Sequence, residues 1–80
     1  MIKSTVLIVD DEKPTREGLR AALEDRYDVY IAEDGESAVR LIEENGFDVL
    51  LTDLRMPGLG GLDLIKRAKS MNKPPICILM

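Results

Sequence analysis

Asp10, Asp11 and Glu12 stand in a row, and a fourth acid, Asp53, follows Thr52 and precedes Leu54 and Arg55. Carboxylates crowded together repel one another and raise one another's pKa unless a cation sits among them. One chemistry follows from these residue types: their oxygens can hold a hard divalent cation, and at a pocket rim partly open to water such donors favour Mg2+. The sequence holds no histidine and one cysteine, Cys77. That leaves no histidine base to activate a nucleophile, no intramolecular disulfide and no tetrahedral zinc site built from this chain alone. The competing reading is plain solvation: acids just after a strand are common because the loop is wet, and short motifs often match by chance.

Position decides between these readings, and position depends on the elements that carry the acids. Thr5-Val6-Leu7-Ile8-Val9 is a continuous apolar, largely β-branched run and reads as a strand buried on both faces. Pro14 suits a first helical turn, and Leu19, Ala22 and Leu23 continue a helix to about Asp25. Val29 to Ala32 reads as a second strand. Asp34 reads as the N-cap of a helix with the stripe Ala38, Leu41 and Ile42, ended by Asn45-Gly46 with Gly46 in a left-handed cap. Phe47 to Thr52 reads as a third strand, followed by a turn-rich loop from Met56 to Gly61. A third helix carries Leu62, Ile65 and Ala68, or Leu64, Ala68 and Met71, on its apolar side. Lys66, Arg67 and Lys69 near its end suit the dipole. Asn72 to Pro75 forms a loop, and Ile76 to Met80 a fourth strand that buries Cys77 as a small core residue.

Strands alternating with helices predict a parallel sheet with helices on both faces. Ligands of such sheets bind at the carboxyl ends of the strands. Asp10 and Asp11 leave the first strand there and Asp53 leaves the third, so the three converge if those strands are neighbours. The sequence has 80 residues, enough for one small domain. It is 45% hydrophobic and 32% charged, which excludes a disordered tail. A net charge of −4 argues against nucleic-acid binding through this segment. No apolar run approaches the length of a membrane span. The start, from Met1 to Thr5, has no secretory signal, and cysteine usage fits the cytoplasm.

The string VLIVDDE at residues 6–12, with LLTDLRMPGLGGLDL at 50–64, resembles the receiver domain of bacterial two-component response regulators. The resemblance runs the length of the sequence. It implies a flavodoxin-like, doubly wound α/β sheet with four strands in the order 2-1-3-4 and three helices; that order comes with the family rather than from periodicity. It implies that Asp53 accepts a phosphoryl group from a sensor histidine kinase. Asp11 would ligate Mg2+ directly, Asp10 through water, and Arg55 through its backbone carbonyl, with Asp53 beside them. The Arg55 side chain would lie at the site entrance and tune hydrolysis of the acyl phosphate, while Pro57 and Gly61 would shape the following loop. The parent protein would regulate transcription through a separate effector region, and the ending ILM after Pro74-Pro75 is most similar to receivers of σ54-type activators.

The family also places a Thr or Ser just after the fourth strand and a Lys after a fifth, and residues 1–80 end before both. The expectation is therefore a truncated receiver, roughly the first two-thirds of the family's fold. Its bare fourth strand and uncovered sheet face should drive self-association into a homo-oligomer. A second reading keeps only that: a phosphorylation-incompetent receiver fragment acting as a self-associating module. Two other classes fit less well. A flavin binder needs a phosphate-cradling loop where Asp10, Asp11 and Glu12 stand. An aspartate-nucleophile phosphatase needs an acid at Arg55. The chain is expected to be a phosphoacceptor rather than an enzyme, with at most Mg2+-dependent self-phosphorylation and dephosphorylation.

Overall fold

A computed structural model describes residues 3–80; Met1 and Ile2, on which part of the expectation of no secretory signal falls, lie outside the described residues. The elements in order are β1 (Thr5–Val9), α1 (Lys13–Leu23), β2 (Asp28–Ala32), α2 (Gly35–Glu44), β3 (Val49–Thr52), α3 (Gly61–Lys69) and β4 (Ile76–Leu79). The strands form one parallel sheet in the order β2-β1-β3-β4. This is the expected α/β arrangement, with strand order and helix number as the resemblance implies.

β1 is central because its side chains are apolar on both faces, and Val6, Leu7, Ile8 and Val9 are all buried. Leu7 and Val9 point into the larger core, with Ala38 and Ile42 of α2, Leu50 of β3, and Leu64 and Ala68 of α3. Ala38 and Ala68 are small and fully buried, which lets the two helices sit close on that face. The other face carries α1, which buries none of its own residues. There Val6, Leu23, Tyr27, Val49, Leu51 and Ile78 line an open apolar groove of about 240 Å³.

Several boundaries differ from expectation. α1 ends at Leu23 rather than Asp25, because the Arg26 and Tyr27 amides fold back onto the Leu23 carbonyl. β3 begins at Val49 rather than Phe47. Phe47 is pulled into the core, its ring packed edge-on against Tyr30 at 5.3 Å. The Asp48 side chain accepts from the Thr5 amide and hydroxyl, while its backbone amide donates to the Thr5 carbonyl and its carbonyl accepts from the Ile76 amide. Gly46 is not a left-handed cap: α2 ends where Asn45 turns extended (φ −134°, ψ 147°), and the left-handed glycine is Gly58 (φ 76°). On α3 the buried face carries Leu64 and Ala68, whereas Leu62 is 57% exposed. β4 ends at Leu79 and is an edge strand, with Ile76 68% exposed and Cys77 only half-buried. Among the described residues it pairs with β3 alone. Burial still pushes the Cys77 thiol pKa up, against a smaller opposite pull from the Lys69 ammonium.

Candidate functional site

The register brings the carboxyl ends of β1 and β3 side by side, Val9 opposite Thr52. Each acid that follows is held by the next rung of a ladder. The Asp53 amide donates to the Val9 carbonyl at 3.0 Å, and the Asp10 amide donates to the Ala32 carbonyl at 3.2 Å. Asp10 is 5% exposed. Its Oδ1 accepts from the Glu12 amide at 2.9 Å, a local turn that aspartate favours. Its carbonyl accepts from Nη1 of Arg16, at the end of the first turn of α1, at 2.8 Å.

This turn gathers carboxylates. Oxygens of Asp10, Asp11 and Glu12 lie within 4.8 Å of one another, Asp10 buried and the other two exposed. Asp53 is half-buried on the neighbouring strand end and is not one of that group. Its Oδ1 accepts from the Arg55 amide at 3.4 Å, and the Arg55 side chain is exposed. Of the expected site residues, Asp10 and Asp11 therefore cluster, and Asp53 and Arg55 form a second local pair beside them. Glu12, to which the resemblance gave no ligand role, joins the cluster. The donor set is all oxygen, mixing one buried and two solvated carboxylates, and fits a hard divalent cation such as Mg2+.

The loop after Asp53 is held from below and from the side. Thr52, fully buried, donates its hydroxyl to the Asp53 carbonyl at 3.0 Å. Met56 drops into the core, while Pro57 stays exposed in the loop. Glu36, in the first turn of α2, accepts the Leu59 amide on Oε1 at 3.1 Å. Gly61 opens α3 so close to β3 that any Cβ there would strike the Asp53 carbonyl. The glycine is thus what lets the helix start beside the acid. Arg16, Glu36 and Thr52 were missed from sequence. Arg16 left a faint signal, a cation one helical turn beyond Glu12. Glu36 left none, because its partner lies far along the chain.

Among the described residues no helix is long and apolar enough to cross a membrane. A family model described as the response regulator receiver domain matches residues 6–80. The chain is 47% identical over 77 residues to the transcriptional regulatory protein YdfI of Bacillus subtilis (strain 168), covering 92% of this chain and 36% of that protein. It is also similar to the solved N-terminal domain of an uncharacterized protein from Wolinella succinogenes. That match has a TM-score of 0.88 and 37% identity, and covers 100% of this chain and 64% of that one. The receiver domain of the hybrid histidine kinase CckA is similar as well, with a TM-score of 0.88 and 34% identity over 95% of this chain and 73% of that one. The chain thus spans just over a third of the length of the curated relative.

Proposed function

The chain belongs to the response regulator receiver domain family, and from that premise we propose that Asp53 is its phosphoacceptor, served by a divalent cation held beside it. Asp11 would hold Mg2+ directly and Asp10 through water, with Asp53 and the Arg55 carbonyl completing the protein's donors and Glu12 at hand. Bound Mg2+ supplies the positive charge that lets an anionic nucleophile meet an anionic phosphoryl group. An Asp53 carboxylate oxygen attacks the phosphorus of a phosphohistidine on a sensor histidine kinase. The new O–P bond forms as the N–P bond breaks, and the leaving imidazole keeps the electron pair. The product is an acyl phosphate on Asp53. The Arg55 side chain, exposed next to the acceptor, tunes how readily water reaches it.

One observation supports this reading above the rest: Asp53 leaves β3 beside the point where Asp10 leaves β1, each tied to a ladder carbonyl. Reaction with acetyl phosphate and Mg2+, followed by borohydride reduction and peptide mass mapping, tests it. Reduction should mark Asp53 alone. A mark on any other residue, or none in folded protein, counts against it.

Residues 1–80 correspond, on this reading, to the first part of a receiver fold in a longer cytoplasmic protein that acts on transcription, as the name of the Bacillus subtilis relative indicates for that protein. Self-association belongs to the same proposal. Ile76, Ile78 and Leu79 are exposed on an edge strand, with Met80 exposed just after it, which favours pairing of second copies.

A further inference from the structure

We propose that Arg16 is a positioning residue for the acidic site: it fixes the turn that presents Asp10, Asp11 and Glu12 to a divalent cation. The inference rests on the metal-binding reading above. Arg16 begins its helical hydrogen bonding at Glu12, its amide donating to that carbonyl at 3.1 Å. Its side chain then turns back to the strand end, where Nη1 donates to the Asp10 carbonyl at 2.8 Å. Asp10 is consequently anchored three times. β2 takes its amide, the Glu12 amide takes its Oδ1, and α1 reaches its carbonyl through Arg16. With Asp10 only 5% exposed, that carbonyl without its donor would lose a partner water does not readily replace. The turn would then be free to shift, and with it all three carboxylates.

Arg16 also carries a positive charge, and the two effects have opposite signs. A cation beside a metal site repels the metal, so removing it on charge grounds alone tightens Mg2+ binding. A clamp that holds ligands in place does the reverse, and groups standing behind metal ligands typically change affinity 10- to 100-fold when removed. Screening separates them, because salt weakens the charge effect and leaves the positioning effect.

The test is Mg2+ titration by calorimetry at low and at high salt, on the unmodified chain, Arg16→Gln and Arg16→Lys. Both replacements are good helix formers, and circular dichroism checks that each is folded. Arg16→Gln cannot reach the Asp10 carbonyl and should bind Mg2+ about tenfold more weakly, a loss that persists at high salt. Arg16→Lys, which keeps the charge and a reaching donor, should recover part of it. Binding by folded Arg16→Gln that is equal to or tighter than the unmodified chain's overturns the role of Arg16 while leaving the metal site standing. No Mg2+ binding by the unmodified chain overturns the metal reading itself, and this inference with it.

Discussion

At Asp34 one short hydrogen bond sets the charge of the group that opens α2. The Ser37 amide donates to its Oδ1 at 2.7 Å, and this bond, helped by the Ser37 side chain, holds the Asp34 carboxyl below its ordinary pKa. A carboxyl that is more acidic folded than unfolded adds stability above its unfolded pKa. That stability is lost as pH falls through the lower, folded value. Thermal melts across the carboxylate range should therefore show an acid-side loss that Asp34→Asn reduces, since asparagine keeps the cap without titrating. An unchanged pH profile in Asp34→Asn would place the acid sensitivity elsewhere. Asp34 as a cap and Asp10, Asp11 and Asp53 as strand-end acids depend on near neighbours in the chain. The Glu36 bond to Leu59 and the Gly61 approach to Asp53 depend on how α2 and α3 pack, which no local spacing encodes.

Among the elements, strands were the most legible, because a run such as Val6 to Val9 has few fates other than a central parallel strand. Helix faces were less so. On α3 the spacing allowed either Leu62 with Ile65 or Leu64 with Ala68 to face the sheet. The helix's start against β3 selects the second, leaving Leu62 57% exposed and Leu64 fully buried. Urea unfolding should separate them cleanly. Leu64→Ala should cost about 2–5 kcal/mol, and Leu62→Ala within about 0.5 kcal/mol of nothing. Comparable losses in the two variants would contradict the burial assigned to this helix. The glycine misread at the end of α2 has a similar cause. Asn45 satisfies the Leu41 carbonyl through its own amide and side chain, so no left-handed residue is needed. The positive φ falls at Gly58, packed against Glu36.

For the whole molecule, the sheet is covered unequally. α2 and α3 seal one face, whereas the α1 face keeps an apolar groove between Leu23, Tyr27 and Ile78, and β4 exposes its edge. Sedimentation across a concentration series should show reversible self-association, weakened by Ile76→Lys on the edge. A monomer at every concentration would contradict the association proposal without touching the acidic site. The acidic site at the carboxyl ends of β1 and β3 answers most directly to intact-mass measurement after incubation with acetyl phosphate. With Mg2+ the chain should gain the mass of one phosphoryl group. It should gain none with chelator, and none as Asp53→Asn. An adduct that persists in Asp53→Asn, or no adduct on folded, Mg2+-loaded chain, would contradict Asp53 as the acceptor.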